Sequence, residues 1–258
     1  MKTLHKTARQ TLRATAITLV LGMAATSAAG AEITLLSAAA AEEPVTELAQ
    51  QFERTTGHKV RLEFSTAGGV EGKVRAGARP DIVINDRMRL ATMATGNLVA
   101  STPARTVGVV QIGVAVRKGG MRPDLSSTEA FRASLLKAES VSYGDPEKGP
   151  TTGIHFAKVL ERLGLTEAIR PKQMLAPNGL EVMRLVASGK AELGITQISE
   201  IKHIQADSLV GPLPEALQLK TAYAVTFSQD DASVAARQFA DLLLGPAGRE
   251  RFIHAGFD

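Results

Sequence analysis

The sequence of residues 32–258 predicts a two-lobed α/β protein, in which each lobe is a mostly parallel sheet flanked by helices. Short apolar runs alternate with amphipathic stretches, which is the pattern of β-α-β units. Two long apolar strands, 107–116 and 219–227, separate two sets of such units. The C-terminal helices follow the second of these strands and belong to neither set. We therefore expect the chain to cross twice between the lobes.

The individual elements follow from apolar spacing and from helix-capping residues. Ser127 and Asn178 stand where helix caps are expected, and Pro44 stands in a first helical turn, where proline is tolerated. The lobes are expected at 32–110 together with 224–258, and at 111–223. The predicted strands are 33–36, 60–64, 81–84, 107–116, 141–143, 193–196 and 219–227, and the predicted helices end near 52, 76, 138, 163, 188, 244 and 254.

The first 31 residues have the composition of a secretory signal peptide. Four basic residues precede an apolar run of roughly 12 residues, which is shorter than the about 20 that span a bilayer. Ala29-Gly30-Ala31 then offers a small-residue cleavage site. We expect cleavage after Ala31 and a protein that works in the periplasm without membrane insertion.

Composition argues against several classes of function. Four of the 30 basic residues lie in the leader, which leaves 26 of each sign, so no excess of basic charge points to nucleic acid. There is no cysteine and no tryptophan, and aromatic residues make up 4%. The absence of cysteine excludes thiolate metal sites. The scarcity of aromatic residues makes a site that stacks nucleic-acid bases on aromatic rings less expected. We expect no cofactor and no metal.

Four loops between predicted strands and helices consist of small and hydroxyl-bearing residues. Small side chains let a ligand approach the backbone, and amides at a helix N-terminus bind anions. Each loop alone is also an ordinary helix cap, so the prediction depends on the four together. The loops are Ser37-Ala38-Ala39-Ala40-Ala41, Ser65-Thr66-Ala67-Gly68-Gly69, Pro150-Thr151-Thr152-Gly153 and Pro177-Asn178-Gly179.

Five stretches of the chain resemble the periplasmic molybdate-binding proteins, within the type II periplasmic binding protein superfamily. They are ITLLSAAA, RAGARPDIVINDR, YGDPEKGPTTGIHFAKVLERLG, AELGI and LLLGPAGRERFIHAGF. The resemblance implies a two-lobed clamp that binds a small anion and delivers it to the membrane permease of an ABC-type importer, most simply as a monomer.

The resemblance also implies where the ligand is held. The family's two serines correspond to about Ala40 and to 66–68, and its tyrosine corresponds to Gln197. Because glutamine offers a donor and an acceptor, this position suits an anion that keeps a proton or carries a hydroxyl. The expected ligand contacts are Ser37, Ala38, Ala39, Ser65, Thr66, Gly68, Thr151, Thr152, Gly153, Asn178, Gly179 and Gln197.

Three other functions stay open. An enzyme is the main competing class, but no GxSxG, phosphate-loop or HExxH motif occurs and the histidines show no ligand spacing. A small organic acid could replace the oxyanion, and its carboxylate would favour an arginine partner. A sensory role, with the loaded clamp docking on a membrane receptor, is the third. The basic side chains considered as ligand contacts near the predicted loops are Arg75, Arg79, Arg87, Arg89, Lys148 and His155.

Overall fold

The first part of the chain forms three strand-helix pairs. The computed structural model describes residues 30–258. A 3-10 turn, Ala39–Ala41, leads from the first strand into the first helix. The elements are β1 (Glu32–Ala38), α1 (Glu42–Thr56), β2 (Lys59–Ser65), α2 (Ala67–Arg75), β3 (Ile82–Asp86) and α3 (Arg87–Thr95).

The second part begins with a 12-residue strand and returns to the first part at its end. Ser127 and Asn178 cap helices as predicted, because their side chains accept hydrogen bonds from Ala130 N and Glu181 N. The elements are β4 (Arg105–Val116), α4 (Thr128–Lys137), β5 (Val141–Gly144), α5 (Thr151–Arg162), α6 (Thr166–Ile169), β6 (Gln173–Ala176), α7 (Gly179–Ala187), β7 (Leu193–Gln197), α8 (Ile198–Gln205), β8 (Leu209–Pro212), β9 (Lys220–Phe227), α9 (Val234–Leu244) and α10 (Pro246–His254).

The strands form a nine-stranded sheet in the order β2-β1-β3-β9-β4-β7-β5-β6, and β8 also pairs with β4. Strands β1, β2 and β3 are parallel to one another, and so are β5, β6 and β7. The two parallel sets are separated by β9 and β4, which pair antiparallel with each other. The predicted pair of long connecting strands is therefore present.

Strand β4 belongs to both halves of the sheet. Its residues 105–111 pair with β9, whereas residues 112–116 pair with β7 and β8. The apolar cores divide at the same place. One set of buried residues draws on positions 33–110 and 223–257, and another on 112–217. The two-lobed α/β fold is the one predicted, while the boundaries at 110/111 and 223/224 stay a prediction.

Five elements were not predicted, namely α3, α6, β6, α8 and β8. Three of them, α6, β6 and β8, have only four residues each. Helix α3 buries only Leu90 and Met93, so its sequence has no continuous apolar stripe. The predicted leader up to residue 29 lies outside the described residues. Within residues 30–258, no helix is long and apolar enough to cross a bilayer.

Candidate functional site

A small cavity of about 20 Å³ lies between the two halves of the sheet, at the carboxyl ends of the strands. The register brings these ends together, since Ala38 of β1 is level with Ser65 of β2, and Gly144 of β5 with Ala176 of β6. Parallel α/β sheets bind ligands at this edge. The lining residues are Ala38, Ala39, Ala40, Thr66, Ala67, Pro150, Thr151, Thr152, Asn178, Gly179, Gln197, Glu200 and Tyr223.

Five helices begin at the cavity, which are α1 with its preceding 3-10 turn, α2, α5, α7 and α8. The first amides of a helix have no partner within the helix, and the helix dipole places partial positive charge there. Among residues 30–258, no lysine, arginine or histidine lines the cavity. The positive potential that an anion would meet therefore comes from backbone amides and not from charged side chains.

Eight of the twelve predicted contacts line this cavity. They come from all four predicted loops and from the position matched to the family's tyrosine. The eight are Ala38, Ala39, Thr66, Thr151, Thr152, Asn178, Gly179 and Gln197.

The other four predicted residues lie behind the lining or beside it. Ser37 is fully buried and its hydroxyl donates to Ala38 O at 3.0 Å. Ser65 ends β2, and its Oγ would lie 2.2 Å from a Cβ at position 69. Gly153 packs on the end of β5, where a Cβ would lie 2.0 Å from Gly144 O. Gly68 faces the opposite lobe.

The loop before α2 and the loop before α5 touch across the cleft. Gly68 N donates to Gly149 O at 3.1 Å, and Thr66 Oγ1 donates to Lys148 O at 3.1 Å. Gly149 has φ of 81°, a conformation that side chains disfavour. Both bonds join residues more than 80 positions apart in the chain, so they hold the two lobes in a closed arrangement.

Hydroxyl groups supply further donors at the cavity. Among the described residues, Thr151 Oγ1 is buried and has no hydrogen-bond partner. Thr152 is also buried. A buried hydroxyl without a partner is costly, so a ligand that accepts a hydrogen bond from Thr151 would relieve that cost.

Sequence reasoning missed two lining residues, Glu200 and Tyr223. Glu200 is 5% exposed, and its Oε2 accepts hydrogen bonds from Thr196 Oγ1 and from Gln197 N, the latter at 3.2 Å. Burial raises the pKa of the Glu200 carboxyl to about 7. Glu200 stands three residues after the helix cap Gln197, as in a capping box, but a glutamine cap lacks the Ser, Thr, Asp or Asn that marks this motif in a sequence.

Tyr223 reaches the cavity from the middle of β9. The residue is 2% exposed, and its hydroxyl accepts a hydrogen bond from Gln197 Nε2 at 3.4 Å. Burial raises the pKa of the Tyr223 phenol above its ordinary value, and the nearby Glu200 raises it further. The phenol therefore stays protonated and can donate. Nothing in the local sequence of β9 distinguishes this tyrosine from a core residue.

The basic side chains singled out in the sequence do not line the cavity. Arg75 and Arg89 both pair with Glu71, and Arg79 bonds to backbone oxygens. Arg87 lines a separate depression near residues 99–104. The Nε2 atom of His155 lies 2.8 Å from Leu217 O. Lys148 approaches the cleft through its backbone, and its side chain is exposed.

The described residues contain no cluster of three or more His, Asp or Glu side chains that could hold a metal ion. A larger groove lies on the outer side of the second lobe, between 123–128 and 210–216. The groove is lined by one lobe alone, whereas the cavity lies between the lobes and gathers five helix N-termini. The cavity is therefore the candidate ligand site.

Comparison with known proteins agrees with this geometry. The chain is 29% identical over 197 residues to an aconitate isomerase from a Pseudomonas species, covering 74% of this chain and 73% of the relative. It is 26% identical over 228 residues to the molybdate-binding protein ModA of Escherichia coli, covering 88% of both chains. The structure of the periplasmic molybdate-binding protein of Azotobacter vinelandii superposes with a TM-score of 0.70 at 20% identity, over 88% of this chain and 98% of that one.

The match to a family extends over nearly all of the described chain. Residues 33–258 match the family described as bacterial extracellular solute-binding protein. The lobes, the crossing strands and the small cavity are the parts that such a protein needs to enclose a solute. The chain belongs to the bacterial extracellular solute-binding protein family.

Proposed function

We propose that this protein captures a small anion, with a tetrahedral oxyanion as the first candidate, and presents it to the membrane permease of an ABC-type importer. The observation that carries the proposal is the meeting of five helix N-termini at a small cavity that, within residues 30–258, has no basic side chain in its lining. Backbone amides and hydroxyls hold an anion by hydrogen bonds and helix dipoles. The protein works in the periplasm as a monomer, after removal of the leader.

The size and polarity of the cavity favour a small ligand. Its volume of about 20 Å³ lies far below the roughly 300–1,000 Å³ of ordinary small-molecule pockets. A carboxylate is usually recognised by a forked arginine, and none lines the cavity. These two properties support a compact oxyanion over a larger polycarboxylate. The relatives named molybdate-binding protein make molybdate and tungstate the first ligands to test.

A thermal-shift screen tests the proposal directly. Molybdate, tungstate, sulfate, phosphate and small dicarboxylates are added separately to the protein without its leader. Binding to the folded state raises the melting temperature in proportion to the logarithm of ligand concentration. A rise with at least one tetrahedral oxyanion is expected, and its absence for all four would overturn the oxyanion proposal.

The double variant Thr151→Ala, Thr152→Ala locates the binding in this cavity. Each lost hydrogen bond to a charged group is worth about 1.5–3 kcal/mol, so affinity should fall more than tenfold. The matched control is Thr92→Ala, Thr95→Ala, since these threonines bond to their own helix α3 on an exposed face. Isothermal calorimetry checks both. An equal loss of affinity in both variants would argue against contacts from Thr151 and Thr152.

The relative named aconitate isomerase favours a second candidate, a proton-transfer reaction on an unsaturated organic acid. The structural observation is Glu200, a buried carboxyl at the cavity with its pKa raised to about 7, a value suited to general acid-base catalysis. Incubation of cis-aconitate with wild-type protein and with Glu200→Gln, followed by proton NMR, tests this candidate. Formation of the trans isomer by wild type alone would support it, and no conversion by either protein would exclude it for this substrate.

A further inference from the structure

Glu200 is the one ionisable carboxyl among the residues that line the cavity. Both of its hydrogen bonds to the described protein involve Oε2, which accepts from Thr196 Oγ1 and from Gln197 N. That leaves Oε1 for a ligand. The close packing is possible because residue 179 is glycine, since a Cβ there would lie 1.9 Å from Oε2.

Within the described part of the chain, no positive side chain pairs with Glu200 to balance its charge. The charges on neighbouring elements are either negative or turned away. Glu42, at the start of α1, is negative, and Tyr223 on β9 is neutral, with Asp86 and Arg89 behind it. On α7, Glu181 pairs with Arg184. On α8, His203 lies toward Glu43.

An ionised Glu200 and a bound anion would therefore meet in one closed space. Two like charges a few ångströms apart repel strongly where water is excluded. Protonation of one of them removes the repulsion and turns an acceptor into a donor. An anion such as molybdate or sulfate carries no proton near neutral pH, so the proton has to reside on the protein.

We propose that Glu200 binds the ligand as a neutral acid, with an Oε1–H group donating to the anion, so that capture of the anion brings one proton into the cavity. This inference rests on the proposed function. It names the ligand class as anions that offer an acceptor to Glu200, and it makes affinity depend on pH. The raised pKa of the carboxyl, which burial explains, agrees with the geometry.

A role limited to helix capping is the competing explanation for Glu200. Its carboxyl already accepts from the cap residue Gln197. The variant Glu200→Gln separates the two roles, because a glutamine keeps an oxygen acceptor for Gln197 N and adds a permanent neutral donor. Under our proposal this variant binds the anion without taking up a proton. Under capping alone, wild type and variant behave alike.

Calorimetry with molybdate, and separately with sulfate, in buffers of different ionisation enthalpy counts the protons taken up on binding. At about pH 8 most Glu200 carboxyls of the free protein are ionised, so wild type should take up close to one proton per anion, and Glu200→Gln close to none. Wild-type affinity should be about tenfold weaker at pH 8 than at pH 6. The affinity of Glu200→Gln should change less than twofold. Glu181→Gln, which removes a carboxyl at the start of α7 outside the cavity, should behave like wild type.

The outcomes distinguish this inference from the proposed function. Binding without proton uptake, or equal uptake by wild type and Glu200→Gln, would overturn the role of Glu200 and leave anion capture intact. Failure of both anions to bind wild type at either pH would overturn anion capture itself, and the present inference with it.

Discussion

The phenol of Tyr223 and the amide of Gln197 share one hydrogen bond at the edge of the cavity. The sequence resemblance placed the family's tyrosine at Gln197, where this chain has no phenol. A phenol nevertheless reaches the cavity, because β9 passes beside α8 and carries Tyr223 to the same place. A donor that the loop sequence lacks is thus supplied from a strand far along the chain.

Tyr223→Phe should therefore weaken anion binding while the lobes stay folded. The loss of one donor to a charged ligand corresponds to about 1.5–3 kcal/mol, or more than tenfold in affinity. Tyr143→Phe is the matched control, since its hydroxyl bonds to Gln173 away from the cavity. Calorimetry with the anion identified in the screen measures both. Unchanged affinity in Tyr223→Phe would show that its hydroxyl serves only Gln197.

Glu200 should also make the stability of the free protein depend on pH. The ordinary pKa of a glutamate is 4.5, and burial raises that of Glu200 to about 7. The unfolded chain thus releases its proton first, and stability falls as pH rises from about 4.5 to about 7. At 1.36 kcal/mol per pKa unit the loss approaches about 3 kcal/mol.

Urea unfolding at a series of pH values checks this sign. As the pH rises from about 4.5 to about 7, the unfolding free energy of wild type should fall relative to that of Glu200→Gln. A difference that stays constant with pH would mean that Glu200 titrates alike in the folded and unfolded chain.

At the scale of helices and strands, the sequence predicted what periodic burial controls. Helix α1 has Val45, Leu48 and Phe52 on one face, and strand β7 is buried throughout, so both were recognised. Helix α8 was not, because Gln197 leads from β7 into it without a proline, glycine or serine as a boundary signal. Missing α8 concealed Glu200, since its place in a first helical turn is what directs it to the cavity.

Loop residues at the site were predicted where a local conformation requires them. Thr66 and Asn178 are caps whose side chains accept from the first-turn amides of α2 and α7. Their helix N-termini then point to the cavity. The contribution of β9 depends on its pairing with β3 and β4, which are distant in the sequence, and no local pattern records such pairing.

Gly179, at the start of α7, is expected to tolerate a side chain poorly because of its packing on Glu200. A Cβ would lie 1.9 Å from Glu200 Oε2 and 2.1 Å from Thr196 Oγ1, so Gly179→Ala forces both side chains to move. Overpacking of this kind costs about 1–3 kcal/mol and should also abolish measurable anion binding. Gly72→Ala in α2 is the contrasting variant. Open space surrounds Gly72, and a helical alanine should leave stability equal or up to about 1 kcal/mol higher.

Chemical denaturation and calorimetry on both glycine variants check this prediction. Equal stabilities of the two variants would mean that the start of α7 can shift away from Glu200 without loss. In that case the close packing of Gly179 on Glu200 would not contribute to anion binding.

Across the whole molecule, strand β4 belongs to both predicted lobes, and we expect the lobes to hinge there while they share one sheet. Its first half pairs in one lobe and its second half in the other, with a register shift on each side. The opposite rim of the cleft is joined by the hydrogen bonds from Gly68 N to Gly149 O and from Thr66 Oγ1 to Lys148 O. A ligand that contacts loops of both lobes must therefore favour the closed arrangement.

Small-angle scattering should show a smaller radius of gyration when the anion is bound. The variant Gly68→Leu sharpens the test, because even a Cβ at this position would lie 2.9 Å from Gly149 O, so a leucine holds the loops apart. With saturating anion, this variant should keep the radius of the free protein, although its lobes fold normally. A ligand shifts the equilibrium between the open and closed forms only by the difference in its affinity for the two forms. The variant should therefore bind the anion more weakly, to the extent that it fails to close. An unchanged radius in wild type would contradict closure, and tight binding by an open Gly68→Leu would mean that one lobe alone holds the anion.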